Sequence, residues 1–594
     1  MVGRCAAMLL CVGLGLAGCT SFWDSASSRG GACGAEGSPC VPGTGTDEDG
    51  GIAEEDDGGT STSGTGAGVI CQEAATTSVQ RYELVFDVAD GAATSCLWVD
   101  AAPEDGEGVS FDSALPVHGL TWNGEPVEAC IEGDVLSVGG NAVQYREPAR
   151  VCSSFTVPEH PEGSNVGFTR NKDKQGNWFT YLRGWVEQCH LLGPCNRHPS
   201  QLVELQLHVT HDPEDVVLCS GARTTDGSST FCVVDDVRAP MYSGLFVAAN
   251  PAWQRTSHAL TSGSEVHFYE VPGTGVLSSI DLVRLDGFMS WITGLLGALP
   301  YGEELRVATA PMGWLGYEHP ANIMLNERLR DFPPEYADMT MHTLMHEIVH
   351  QWAGNRTTLR DARDFAWKEA IADYLVYVYE DAHMPPGVAG ATLRYWDRLA
   401  TSTPLYPVPQ DEPPVSLELA AAAAYGTGSM TLLLQLEDLL GREVVVDAVQ
   451  RFLEEPGARG VADLKASLES TSGTHLDRYF EAWVHGVGSP DWPYMRAEII
   501  EGAVGRALRI EQVTRSGKRY PCRVEAAVET DEGTEMVGGV FALDAPEGSI
   551  EIPLHVEGNV AAIKIDPRRR LVNLPFPPDE ASLQSQDRGP VFLF

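Results

Sequence analysis

The sequence predicts a multidomain α+β protein. A β-rich domain covers 71–272, a mixed, mainly helical domain that carries the chemistry covers 273–495, and a C-terminal β-sandwich covers 496–594. Three observations predict this. Hydrophobic residues recur with period two in the first and last of these stretches and with period 3.6 between them. The chain has 594 residues, enough for several domains. Its 43% hydrophobic and 21% charged residues suit a chain that buries large cores. The same composition excludes other classes. With 40 Lys+Arg against 83 Asp+Glu the formal net charge is −43, which repels phosphate backbones and argues against nucleic acid as a partner. No run of 18 apolar residues occurs, so a polytopic membrane protein is excluded. Neither a phosphate-binding P-loop nor a dinucleotide fingerprint appears, so no nucleotide is expected.

The first 18 residues read as an export signal. Arg4 supplies the positive start, Cys5 to Leu16 is apolar, and Leu16-Ala17-Gly18-Cys19 follows. Those four residues resemble a bacterial lipobox, in which lipid attaches to the cysteine. This implies an exported cell-envelope lipoprotein anchored to a membrane through Cys19. Thr20 stands where some inner-membrane lipoproteins carry Asp, so the outer membrane or cell surface is expected. Residues 19–70 are rich in Gly, Ser, Thr, Asp and Glu and cannot bury enough apolar surface to order themselves. As a flexible tether they span on the order of 40 Å.

The 14 cysteines agree with an oxidising compartment. Cys219 and Cys232 flank an Asp226-Gly227 turn and are expected to pair; Cys189 with Cys195 and Cys130 with Cys152 are further expected pairs. No CxxC occurs, which argues against a thiolate zinc site. In the β-rich region Tyr82–Val88 and Val203–Val209 alternate as strands, and aromatic residues at 242–253 are assigned to its core. His190, His198, His208, His211, His258 and His267 are scattered and read as structural. In the middle region Ile280–Leu299 reads as a helix and Leu305–Ala310 as a strand able to lie along a peptide substrate. Alternation returns at 550–552 and 560–565, and Arg568-Arg569-Arg570 reads as a solvated cluster in a terminal loop.

The chemistry lies in His346-Glu347-Ile348-Val349-His350. Met341, Leu344, Met345, Ile348, Val349 and Trp352 recur at helical spacing and form a buried stripe. Two imidazoles four residues apart leave a helix on the same face, as two corners of a tetrahedral zinc site require. Glu347 beside them is placed to act on water. A second helical stripe, Trp367, Ala370, Ile371, Tyr374, Leu375 and Val378, leaves Glu369 and Asp373 on its other face. Glu369 supplies a third ligand, and Asp373 can accept the spare N–H of a ligand imidazole. Three ligands leave one position open, the signature of a catalytic site for one Zn²⁺.

The run from His346 to Asn355 resembles the HExxHQWxGN of the M1 family of zinc aminopeptidases (gluzincins), and residues 351–368 supply the family's spacing of 18 before Glu369. Gly316-Tyr317-Glu318-His319 resembles its exopeptidase motif, Tyr425-Gly426-Thr427-Gly428 its catalytic-tyrosine segment, and Pro194-Cys195 with Pro199 a corner of its first domain. The resemblance implies a saddle-like N-terminal β domain and a thermolysin-like catalytic domain. It also implies peptide substrates cut one residue from the N-terminus. Glu347 would be the general base and Tyr425 would stabilise the oxyanion. Gly316 and Glu318 would contact substrate, with Glu318 pairing with the α-amine. The chain departs from the family pattern in places. Leu315 and Tyr317 replace Gly and Met, Thr427 replaces Lys, and Lys368 replaces an Asn before the glutamate ligand. The amine-holding Gln has no match other than Arg183 or Gln188. These departures leave two alternatives: an endopeptidase or other hydrolase with no need of a free amine, and a catalytically silent binding lipoprotein.

Overall fold

A computed structural model describes residues 77–99, 109–138, 149–332, 339–399 and 405–577, apart from 162, 165, 386, 417–418, 422–423, 425–428 and 503–504. The expected signal peptide, Cys19 and the tether lie outside the described residues. No described helix is long and apolar enough to cross a membrane.

The N-terminal β region is built as the alternation predicts. Val79–Asp87 and Leu202–Thr210 pair in parallel near the middle of an eight-stranded sheet, with Tyr82 opposite Leu205 and Leu84 opposite Leu207. A five-stranded sheet containing Gly167–Lys172, Trp178–Arg183 and Phe246–Asn250 shares a core with it. Two expected disulfides, Cys189–Cys195 and Cys219–Cys232, are formed. The expected Cys130–Cys152 pair is not. Cys152 bonds Cys96, because Ala92–Val99 and Ala149–Thr156 run antiparallel in a register that sets the two cysteines directly opposite.

The sheet of the catalytic region has five strands, in the order Gln254–Ala259, Glu265–Glu270, Glu304–Ala310, Asn322–Asn326, Gly316–His319. Two points differ from the sequence reading. The first two strands precede residue 273 yet belong here, since Glu265–Tyr269 pairs in parallel with Glu304–Ala308. The strand Glu304–Ala310, expected to lie along the substrate, is central and paired on both sides. Gly316–His319 is an edge strand, which among the described residues pairs only with Asn322–Asn326. This is the strand that bears Glu318.

Helices pack on this sheet. Leu282–Leu296 begins at Asp281, whose carboxylate accepts the Val283 and Arg284 N–H groups at 3.0 and 3.2 Å. Met339–Val349, the motif helix, buries Met341, Leu344, Met345 and Ile348 as its period requires. Phe365–His383, the ligand helix, follows a capping box at Asp361–Asp364. It is buried on nearly every face, from Phe365 to Glu380, because the motif helix, Val388–Leu399, Ser429–Leu440 and Val461–Ser472 pack around it.

The C-terminal region is two three-stranded sheets with Leu508, Ile510, Val524, Ala526 and Val528 buried, as a sandwich requires. The Arg568–Arg570 cluster is not simply solvated. Arg570 is buried, with Nη2 2.8 Å from Glu437, Nε 2.9 Å from Asp438, and Nη1 donating to the Tyr377 hydroxyl at 2.9 Å. These contacts tie the sandwich to the helices behind the site.

Candidate metal and catalytic site

The motif helix delivers its two imidazoles as the i, i+4 spacing predicts, and the ligand helix brings Glu369 to meet them. His346 Nε2 and His350 Nε2 are 2.8 Å apart, and Glu369 Oε2 lies 3.3 Å from the first and 3.6 Å from the second. The far side of each ring is fixed. His346 Nδ1 donates to Asp373 Oδ1 at 2.7 Å, and His350 Nδ1 donates to the Ala353 carbonyl at 2.8 Å. With Nδ1 carrying the proton in both rings, both Nε2 lone pairs face the same point as Glu369 Oε2, a buried oxygen that has no hydrogen-bond partner. Three converging electron pairs in a buried place repel one another unless a cation lies between them. The residues therefore fit a divalent ion. A second triplet, Glu318, Glu347 and His350, lies in the same cleft, and among the described residues these are the two groups able to hold a metal.

Behind His346 the orienting chain is longer than the sequence suggested. Asp373 also meets His342 Nε2 at 3.4 Å, His342 Nδ1 meets Glu380 Oε1 at 2.8 Å, and the Thr392 hydroxyl donates to Glu380 Oε2 at 2.7 Å. Burial works against a charged His342, but Glu380 and Asp373 outweigh it and push its pKa up to about 9. His342 and Glu380 sit one helical turn from His346 and about two from Asp373. That spacing is the only signal the sequence offered for them.

Glu347 stands beside His350 and reaches toward the edge strand. A Cβ placed on Gly316 would lie 2.7 Å from both Glu347 Cγ and Cδ, so the bare glycine is where this carboxylate rests. Glu347 Oε2 is buried without a hydrogen-bond partner. Its pKa is pushed up to about 8, first by burial and then by Glu318 and Glu369, against the pull of His346 and Lys368.

The edge strand is held by the rest of the motif. Gln351 accepts the Ala321 N–H at 3.0 Å and donates to the His319 carbonyl at 3.1 Å. His319 is buried, donates from Nδ1 to the Ser243 carbonyl at 2.7 Å, accepts the Tyr181 hydroxyl at 2.8 Å, and stacks on Phe246 at 3.7 Å. It fastens the strand to the N-terminal β region. Burial lowers its pKa to about 3, so it stays neutral.

Glu318 is buried and faces Lys368, whose Nζ is 3.1 Å from Glu318 Oε1, 2.8 Å from Glu369 Oε1 and 3.4 Å from His350 Nε2. Trp185 and Phe365 lie beside that ammonium, with ring centroids at 5.4 and 5.3 Å. Trp185 also makes edge contacts with Tyr242, Trp314 and Tyr317. Tyr242, assigned by its sequence position to the β-domain core, instead lies at the seam with the catalytic region, donating to the Gly354 carbonyl at 2.8 Å. Arg183 is buried, its guanidinium over the rings of Tyr181 at 4.3 Å and Trp314 at 5.8 Å. Tyr425 and the Gly426–Gly428 segment lie outside the described residues.

Comparison with known proteins agrees with this arrangement. Residues 318–483 match the peptidase family M1 domain. Tricorn protease-interacting factor F2 of Thermoplasma acidophilum is 27% identical over 453 residues, which is 69% of this chain and 54% of that protein. Aminopeptidase N of Streptomyces lividans is 25% identical over 162 residues, 25% of this chain and 18% of that one. The chain thus spans about half or less of the length of the curated relatives it matches. The crystal structure of Legionella pneumophila aminopeptidase A in complex with aspartic acid aligns with a TM-score of 0.69 at 15% identity, over 85% of this chain and 60% of that one. At that identity the likeness shows the fold.

Proposed function

We propose that this chain, which carries a peptidase family M1 domain, is an exported zinc-dependent hydrolase of peptide bonds. The observation that carries the reading is the convergence of His346 Nε2, His350 Nε2 and the unpartnered Glu369 Oε2 within reach of one ion, with Glu347 beside them. Zinc held there supplies Lewis acidity toward water and the scissile carbonyl. Asp373 and the Ala353 carbonyl hold the two rings in the tautomer a metal requires. Glu347 takes a proton from the attacking water and returns one to the leaving amine. Tyr425 is assigned to the oxyanion. Glu318 and Gly316, on the edge strand, are assigned to the substrate.

Two readings of the cleavage position follow. The relatives named aminopeptidases support removal of N-terminal residues, with Glu318 receiving the α-ammonium. The contact of Lys368 with Glu318 supports hydrolysis without a free amine. Export with lipid on Cys19 belongs to the same proposal. Loss of fatty-acid labelling in Cys19→Ala is the expected result, and labelling that persists would overturn that assignment.

Peptide hydrolysis itself is tested by metal analysis of the purified chain, chelation, and Glu347→Gln. About one zinc per chain is expected, with turnover lost on chelation and restored by zinc. Glu347→Gln should keep zinc and lose about 10²–10⁴-fold in kcat. Activity indifferent to chelation would refute the mechanism.

A further inference from the structure

Lys368 is a long cationic side chain inside the cleft, and it is as buried as the ligand beside it. Its stem fits because Gly354, at φ +138°, has no side chain; a Cβ there would lie 2.8 Å from Lys368 Cε. Its Nζ bridges Glu318 and Glu369, and the faces of Trp185 and Phe365 close its remaining sides.

A carboxylate reads a peptide N-terminus by pairing with its ammonium, and it can do so strongly only if that pairing is still to be made. At Glu318 an ammonium of the chain itself already stands 3.1 Å from Oε1, as an ion pair without a hydrogen bond, since Nζ donates to Glu369 at 2.8 Å. A substrate ammonium reaching Glu318 would stand beside Lys368, a like charge in a buried place.

We propose that Lys368 is a specificity-determining residue. By occupying Glu318 it directs this cleft to peptide bonds not marked by a free α-ammonium, meaning N-acylated or internal bonds. This rests on the peptide-hydrolase reading above and chooses between its two forms. Glu318 then acts as an anchor for Lys368 and, through it, for Glu369, rather than as a receptor for the amine.

The test uses the zinc-loaded full-length chain and pairs of peptides identical except for a free or an acetylated N-terminus. The wild type is expected to cut the acetylated member at least as well as the free one. Lys368→Asn, with zinc content and melting temperature checked, is expected to shift kcat/KM toward the free member by on the order of 10–100-fold, the scale of removing one nearby like charge. Lys368→Met removes the charge at similar volume and is expected to shift the ratio the same way if Lys368→Asn does not fold. Calorimetric binding of both peptides to zinc-loaded Glu347→Gln, with and without the Lys368 substitution, reads the same preference without turnover.

A wild type that favours the free-amine member by about ten-fold or more in kcat/KM or in binding would overturn the proposal. So would a folded, zinc-bound Lys368 variant with an unchanged ratio, or a site that binds neither peptide. If no peptide is cut but the acetylated member binds Glu347→Gln as well as the free one, the hydrolase reading fails and the role of Lys368 stands.

Discussion

One close approach at the site joins two residues that are distant in sequence, and it gives a sharp test. Gly316 on the edge strand faces Glu347, and the added methyl of Gly316→Ala would sit 2.7 Å from the Glu347 Cγ and Cδ atoms. Carbon atoms rest about 3.5–4.0 Å apart, so something must move by about 1 Å. Among the described residues the edge strand pairs on one side only, but Gln351 and His319 hold it from behind. Glu347 is therefore the group that gives way. A general base displaced by about 1 Å costs on the order of 10²-fold in rate. The three atoms nearest that methyl all belong to Glu347 and none to His346, His350 or Glu369. The expected result is a kcat/KM about 100-fold below wild type on the preferred peptide, with one zinc per chain still present by mass spectrometry after dialysis. Overpacking should lower stability by about 1–3 kcal/mol, read from a denaturant midpoint. Wild-type turnover in Gly316→Ala would show that the strand yields and that Gly316 does not position the base. Loss of zinc together with turnover would refute the reasoning as well, because it would place the damage at the ligands.

Other outcomes follow from the residues behind the site. Asp373→Asn removes the carboxylate that accepts the His346 Nδ1 proton at 2.7 Å and should weaken zinc binding by about 10–100-fold, measured by chelator competition. His342, between Glu380 and Asp373, has a folded pKa of about 9 against an unfolded value near 6.5. A raised histidine stabilises the fold fully below its unfolded pKa and loses that contribution as pH rises through the folded one. The chelated protein should therefore lose up to about 3 kcal/mol between pH ~6 and pH ~10. His342→Gln should show a flatter profile of urea midpoint against pH; an equally steep one would remove His342 from the account.

Much of the site was legible because it is local. The i, i+4 geometry of His346 and His350, and the placement of Glu369 and Asp373 on one face of the next helix, follow from the 3.6-residue period alone. Cys219 and Cys232 pair as expected: Cys219 ends the strand Val216–Cys219, and the hairpin of Ala222–Asp226 with Ser229–Pro240 brings Cys232 back beside it. The misreadings have one kind of cause. Cys96 pairs with Cys152 because of a strand register set by the whole sheet. Leu305–Ala310 has the composition of any strand, and only the sheet order makes it central and leaves Gly316–His319 at the edge. Arg570 belongs to a charged run that looks solvated until the helix carrying Glu437 and Asp438 packs against it.

Lys368 shows where the boundary falls. The sequence alone determined that a lysine precedes Glu369, the expected third metal ligand, and that a glutamate stands in the exopeptidase-like segment. Only the tertiary structure decided that these two meet at 3.1 Å and are buried together. The reason is physical. Helical period and turn chemistry act over a few residues and can be read along the chain. The partner of a buried charge is chosen by which elements pack together, and its energy depends on the exclusion of water, which no linear spacing records.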